Sequence, residues 1–403
     1  MLTEQDLQLI RASVPVLREH GEAITRCFYT RMFSRHPELR NVFNMGNQHS
    51  GIQQQSLASA LYAYAANIDD LSALEPVIGR IVHKHVSLGV RAEHYPIVGE
   101  NLLAAISETL GDAATPELIE AWGKAYGQLA DALIDAERAM YGELGIEPGQ
   151  FLVVKVTEKV RESATVTSFH LADPEGRALP PFKPGQYISV AVTIDALGLR
   201  QARQYSLSAP SSSDTWRISV KREDASDEQP AGTVSSFLHE NVEVGDTLLV
   251  SPPCGDFVLD NSDEPLVLIS AGVGVTPMMS MLHTTFERTP KRLIHFLHAA
   301  TDGLHHHMKD ELDEQARENA ALTTWICYEF PRDEDREGPD YDVAGRLDIA
   351  NAPIDMLPTN GRYYLCGPDG FMETQRNALL AHGISADRIE CEVFGPALIG
   401  HLQ

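Results

Sequence analysis

Two histidines stand two places apart in IVHKHVSLGV (81–90), inside an apolar run with helical spacing. At helical pitch they differ by roughly 200° around the axis, so they cannot share a face. His85 falls on the stripe of Ile78, Ile81, Val82 and Leu88, whereas His83 falls with Gly79 and Arg80 and is expected in solvent. An inward imidazole is either a hydrogen-bonded core residue or a ligand. A ligand binds through one nitrogen while the other donates to a supporting group. Tyr95 and Glu137 are polar residues placed where they could give that support. Upstream, Tyr29 sits at helical spacing near Phe33, Phe43 lies in a short connection, and Gln53 and Leu57 are one turn apart.

Three other stretches are suited to anions and ring systems. In LVLISAGVGVTPMMSML (266–282) an apolar strand runs into a glycine turn, and a helix opens near Thr276-Pro277. Proline at the last position excludes G-x-G-x-x-G, and no Lys follows to make a Walker loop. RQYSLS (203–208) puts Arg203 and Tyr205 on one face of a strand, a phosphate clamp beside a ring. GTVSSFLH (232–239) opens an apolar helix with Gly-Thr-x-Ser, a second anion-ready N-terminus.

These residues need three kinds of scaffold. Segments 6–17, 22–33, 53–68, 76–88, 95–110 and 115–141 carry apolar residues at three- and four-residue spacing, so 1–141 reads as an all-α domain and 142–150 as a linker. From 151 to 262 the period is two, over six short runs separated by Pro, Gly and Asp turns, which predicts a six-stranded antiparallel β-barrel. From 263 to 403 strands alternate with helices, the pattern of an α/β doubly wound parallel sheet. The fold class is therefore multidomain. EFPRDEDREGPDYD reads as a solvated acidic loop and LHHHMKDEL as a helix start at the surface.

With 57 acids against 32 bases the net charge of −25 argues against nucleic-acid or anionic-membrane partners. The five cysteines are scattered, with no C-x-x-C pair, as in a reduced chain. The start MLTEQDLQLI lacks signal-peptide character, and no apolar run approaches the roughly 20 residues that span a bilayer. A cytoplasmic chain without stable membrane association is expected.

The order R-x-Y-S, G-x-V-S, G-V-G-V-T-P, C-G-P and a terminal aromatic resembles the ferredoxin–NADP reductase superfamily over 151–403. That resemblance implies FAD contacts at Tyr187, Arg203, Gln204, Tyr205, Ser206, Gly232, Thr233, Val234 and Ser235. It implies a pyridine-nucleotide site at Gly272, Val273, Gly274, Val275, Thr276 and Pro277 with Cys366, Gly367 and Pro368. In the closing EVFGP (Glu392, Val393, Phe394, Gly395, Pro396), Phe394 is the residue implied to cover the flavin ring. No Arg follows the second strand near Asp302, whose charge would repel a 2′-phosphate, so NADH is favoured over NADPH.

HPELRNVFN, Q-x-x-x-L, KH at 84–85, YPIVGENLL and AWGKAYGQLAD extend the likeness: the whole chain is similar to the bacterial flavohaemoglobins, in which a globin precedes that reductase. The resemblance implies His85 as the proximal ligand of haem b iron, backed by Tyr95 and Glu137. It implies Tyr29, Gln53, Leu57 and Phe43 around bound oxygen, and Lys84 and Glu392 between haem and flavin. The implied activity is nitric oxide dioxygenation, in a monomer. Electrons pass from NAD(P)H through FAD to haem, and NO and O2 become nitrate. A haem-based O2 or NO sensor with a resetting reductase is the competing reading; against it, no output module remains once the three parts are assigned. The PGQFLV junction lacks the family's usual glycine–tryptophan stretch, which bears on domain spacing.

Overall fold

The structure, a computed structural model, describes residues 2–70, 74–225 and 230–395. The chain begins with α1 (Glu4–Arg35), whose Thr3 and Asp6 form a capping box. Two helices are expected here, yet one runs straight through Pro15. The ladder bond lost at proline is offset by burial of Ile10, Leu17, Ile24, Phe28 and Met32 against α3 (Ile52–Ala66) and α5 (His94–Leu110). A 3-10 turn (Pro37–Asn41) and α2 (Met45–Ser50) lead from α1 to α3. The helix carrying both histidines is α4 (Glu75–Leu88), and α6 (Pro116–Leu144) closes the helical part from an N-cap at Thr115. α6 runs past the expected end at Tyr141, because the first glycine that adopts a left-handed cap is Gly145 (φ 65°).

Six strands follow: β1 (Leu152–Arg161), β2 (Val166–Ala172), β3 (Tyr187–Ile194), β4 (Leu199–Ser206), β5 (Trp216–Lys221) and β6 (Thr247–Val250). They pair antiparallel in the order β4-β3-β6-β1-β2-β5, and a Leu207–Ile218 bridge brings β5 back to the end of β4, closing the barrel. Its interior holds Val156, Phe169, Ile188, Val190 and Trp216. α7 (Thr233–Asn241) precedes β6.

The last unit is a parallel sheet of β7 (Leu266–Ala271), β8 (Ile294–Ala300), β9 (Leu322–Tyr328), β10 (Val343–Ala344), β11 (Arg362–Cys366) and β12 (Ile389–Glu392), ordered β10-β9-β8-β7-β11-β12. The two edge strands β10 and β12 are too short for a periodicity and were not anticipated. Helices α8 (Val275–Arg288), α9 (Lys309–Glu318) and α10 (Asp369–Ala381) cover the sheet.

The acidic loop lies at the surface as expected, with Asp333, Glu334 and residues 336–339 exposed, whereas the surface reading of LHHHMKDEL does not hold. His306 and His307 are each 3% exposed, bonded to Tyr328 Oη (2.9 Å) and to the barrel's Ser163 Oγ (2.7 Å). Burial holds His306 down at about 3 and His307 at about 4. Both are neutral packing residues, and His307 joins this unit to the barrel. The acidic loop is tied down by Arg332–Asp335 and Arg336–Asp340 pairs and by Asp342, which accepts from Ile326 N. The barrel and this unit are also latched by Arg217 of β5, which grips Glu311 of α9 at 2.9 and 3.0 Å, with His283 on the same carboxylate. Burial pushes Glu311 up, but His283 and Arg217 outweigh it and hold its carboxyl at about 2.

β7 and β11 pair with Ser270 beside Cys366, so the turns after both strands meet. A Cβ on Gly274 would lie 2.3 Å from Cys366 O and 2.9 Å from Gly367 N. Glycine is needed there for packing, although its backbone is ordinary (φ −61°). Gly274→Ala is expected to destabilise the chain by about 1–3 kcal/mol, read as a lower urea midpoint with an unchanged slope.

Candidate functional site

In the helical part the candidate side chains gather in two places, on α4 with α5 and α6, and on α1 with the residues around the start of α3. On the α4 side, His85 Nδ1 lies 2.7 Å from Glu137 Oε1 and 3.0 Å from Tyr95 Oη, and the Tyr95 hydroxyl donates to the same carboxylate. A buried carboxylate only accepts, so Nδ1 carries the proton and Nε2 has a lone pair to offer. Glu137 is 3% exposed and Tyr95 7%, while 30% of the His85 side chain remains open. Burial, then the Glu137 hydrogen bond, pushes the Tyr95 phenol well above its ordinary range, so it stays a donor. The three residues come from α4, α5 and α6, an arrangement that can set a neutral imidazole as a strongly basic ligand.

On α1, Tyr29 is buried, its ring stacked on Phe33 (5.8 Å) and edge-on to Phe43 (5.8 Å). Burial raises its hydroxyl to about 12, partly offset by hydrogen bonding with Gln53 and Gln48. Gln48 was not anticipated: the expected set rests on α1 and α3, and α2 is one short helix without periodicity. Gln54 Oε1 is buried with no hydrogen-bond partner among the described residues, while its Nε2 donates to Gln48 O and Gln48 Oε1. Leu57 packs at the same core. A protonated phenol among glutamine amides, and an imidazole with a free Nε2, are the donor set that suits an iron porphyrin with a small polar ligand.

His83 departs from expectation. It accepts from Gly255 N of the barrel at 3.0 Å, and burial lowers its pKa. The face opposite His85 is therefore covered by the barrel, which a reading of one helix cannot show. Val82, Val86, Tyr95, Leu133 and Tyr141 form one cluster with the barrel's Cys254, and Tyr187 packs on it.

On the barrel, β3 and β4 place Tyr187 opposite Ser206 and bring Arg203, Gln204 and Tyr205 to one edge. Burial lowers the Arg203 pKa, and among the described residues no carboxylate pairs with it. Burial also raises Tyr187 and Tyr205 above the phenol range. A Cβ on Gly232 would strike Ser235 Oγ at 2.5 Å, so the start of α7 is closed tightly, and Val234 is buried beneath it with Thr233 at its first turn. An unpaired guanidinium, aromatic faces and a helix N-terminus fit a flavin diphosphate.

In the third unit Gly272 (φ 54°) has open space around its missing Cβ, unlike Gly274. Val273 O accepts from Thr276 Oγ1, Val275 and Pro277 are buried in the first turn of α8, and Cys366, Gly367 and Pro368 line the facing turn. That pair of turns fits a pyridine dinucleotide. The sequence shows no Arg near Asp302, yet the fold brings one: Arg332 lies 3.2 Å from where a Gly303 Cβ would stand, paired with Asp335 at 2.7 Å. Asp302 itself caps Leu304 N and His305 N.

The carboxyl-terminal stretch returns to α4. Lys84 Nζ donates to Gly395 O at 3.3 Å, and Val393 and Gly395 flank Phe394, which is 45% exposed. Pro396 lies outside the described residues. Burial and Asp256 push the Glu392 carboxyl up to about 8 against the pull of Arg80 and Lys84. Burial lowers the Lys84 pKa, with Glu392 opposing. These two sit together as a weakly compensated pair.

Three family models match: Globin over residues 26–133, an oxidoreductase FAD-binding domain over 153–259 and an oxidoreductase NAD-binding domain over 268–377. The chain is 52% identical over 399 residues to a flavohemoprotein of Chromobacterium violaceum, covering 98% of each. Its structure superposes on a flavohemoglobin of Malassezia yamatoensis with bound FAD and heme, at a TM-score of 0.86 and 30% identity, over 98% of this chain and 100% of that one. It also matches the FAD/NAD-binding domain of a nitric oxide dioxygenase from Vibrio cholerae, at 39% identity and a TM-score of 0.55, over 61% of this chain and 99% of that one.

A carboxyl raised to about 8 favours the folded state while protonated, so its contribution is full below its ordinary value near 4.5 and is lost as pH rises through 8. Thermal unfolding of the full chain should therefore show a loss of stability across that window that is absent in Glu392→Gln. Parallel pH profiles for parent and variant would refute the buried-acid assignment.

Proposed function

The chain belongs to the flavohemoprotein family, and from that premise we propose that it is a nitric oxide dioxygenase, converting NO and O2 to nitrate at the expense of NAD(P)H. The observation that carries this reading is the His85–Glu137–Tyr95 arrangement, which leaves the imidazole Nε2 free for a ligand. Haem b held at His85 supplies oxygen binding and one-electron chemistry, and FAD on the barrel splits the hydride's two electrons. The rest is the work of this chain's side chains.

Glu137 accepts the hydrogen bond from the Nδ1–H and gives the imidazole partial imidazolate character, which donates charge toward its Nε2 partner. This favours reactive oxygen chemistry over reversible storage. Tyr95 fixes the carboxylate against rotation by its own hydrogen bond. Tyr29, kept protonated by burial, donates to a bound diatomic ligand, with Gln53 orienting the hydroxyl and Leu57 and Phe43 excluding water. Arg203 and the Gly232–Ser235 helix start would hold the flavin diphosphate, with Tyr187, Gln204, Tyr205 and Ser206 as further contacts and Phe394 as the residue that would cover its ring; Lys84 with Glu392 would tune the charge between the centres.

Nicotinamide dinucleotide is held by Gly272–Pro277 and Cys366–Pro368, with NADH favoured by the Asp302 charge alone, since Arg332 is nearby. The units divide at 141, 150 and 262. We further read the protein as a cytoplasmic monomer with O2 and NO as its small-molecule partners and no nucleic-acid role. No helix of the described residues is long and apolar enough to cross a membrane.

The test is aerobic NADH oxidation by the haem- and FAD-loaded protein, with and without an NO pulse, while nitrate is counted. One nitrate per NO, with NADH use rising to match, supports the reading; NADH use indifferent to NO, without nitrate, refutes it. Tyr29→Phe is expected to speed O2 dissociation by about tenfold or more, the loss of one hydrogen bond to a charged acceptor. An unaltered dissociation rate would remove Tyr29 from the role.

A further inference from the structure

Gln201 of β4 is 1% exposed, and its side-chain amide is spent almost wholly on the helical part. Nε2 donates to Arg40 O (3.0 Å), to Phe43 O (3.3 Å) and to its neighbour Arg200 O (2.9 Å), while Oε1 accepts from Met45 N (3.1 Å). Arg200 N adds a bond to Asn41 Oδ1 at 2.8 Å. Every partner outside β4 lies in residues 40–45, which run from the end of the 3-10 turn to the first residue of α2, where Val42 N and Phe43 N reach back only to Leu39 O. Phe43 is the middle of that connection, its ring edge-on to Phe33 at 5.4 Å and to Tyr29 at 5.8 Å. Two residues downstream of Gln201 the same strand carries Arg203, and Gln204 donates to Ser87 Oγ of α4 at 3.0 Å.

We propose that Gln201 is a positioning residue for the oxygen-facing side of the pocket. From the flavin-carrying barrel it holds the 40–45 connection so that Phe43 buttresses Tyr29, and ligand retention at the His85 pocket depends on the docked barrel. A buried amide with four hydrogen bonds has one satisfied geometry. Removing it leaves the Arg40 and Phe43 carbonyls and the Met45 amide short of partners, and the connection relaxes toward water, taking Phe43 from Tyr29. A residue that merely glued two units would instead change their affinity and leave the pocket unaltered.

This inference rests on haem being held at His85, so two kinds of readout are taken on the full chain loaded with haem and FAD. In Gln201→Leu, O2 dissociation from the ferrous protein is expected to rise about three- to tenfold, as for one or two lost hydrogen bonds. The carbon monoxide stretching band should shift and broaden, and amide exchange over 40–46 should accelerate. Reduction of FAD by NADH should match the parent. Combined with Tyr29→Phe the effect on dissociation should be less than the product of the two, because Gln201 acts through Tyr29. Dissociation rate and stretching band equal to the parent's, in a folded variant, overturn the proposal even if exchange changes. If Gln201→Leu does not fold, Asn41→Ala cuts the neighbouring tie to Arg200 N together with the Asn41 bond to Glu38 O, and should give a smaller change in the same direction; no change there also overturns it. A parent chain that takes up no haem defeats the functional reading instead, and unaltered exchange over 40–46 in the variant then defeats this one separately.

Discussion

Burial of one carboxylate organises the helical third. Glu137 is almost completely removed from water, and an uncompensated charge there would cost several kcal/mol. Its compensation comes from two donors on two other helices, His85 on α4 and Tyr95 on α5. That requirement sets the approach of α4, α5 and α6 to one another. It also chooses the histidine tautomer, because the proton must be on Nδ1, and so directs the Nε2 lone pair into the pocket. The packing around the triad is completed from outside the helical part, where Cys254 and Tyr187 of the barrel join the same cluster.

The second constraint is the placement of β4. Along eight residues this strand presents Gln201 to the connection before α2, Arg203 and Tyr205 to the anion-ready edge, and Gln204 to α4. Alternation along a strand sends neighbours to opposite faces, so one element can serve the barrel interior, a ligand edge and a domain interface together. The carboxyl-terminal stretch approaches α4 from the other side through Lys84 and Gly395. The helix bearing His85 is thus held by hydrogen bonds from the barrel and from the carboxyl-terminal stretch.

Much of this was legible from local pattern. The switch from helical to alternating periodicity marks the three units, and all six barrel strands and four of the parallel strands follow their apolar runs. The inward turn of His85 follows from one helix's geometry. The misreadings share a cause. His83, His306 and His307 are polar residues on faces that look exposed within their own element; His83 and His307 are covered by the barrel, and His306 by Tyr328 of its own sheet. Continuity of α1 through Pro15 depends on burial along its length, and edge strands β10 and β12 exist only because a sheet is already there to pair with.

By itself the sequence determined the identities and order of the chemical groups: an inward imidazole, a phenol and amides across from it, glycine turns before helices, and an arginine beside tyrosines. Those depend on residue type and on spacing of a few positions, where backbone geometry acts directly. Only the tertiary structure decided which nitrogen of His85 is left for a ligand, which glycine faces open space and which faces Cys366, and that Arg332 comes beside Asp302. It also decided that a glutamine of the barrel would reach the connection bearing Phe43. Each of these rests on contacts between residues far apart in the chain, whose free energy depends on mutual burial and hydrogen-bond satisfaction, and no local pattern encodes that.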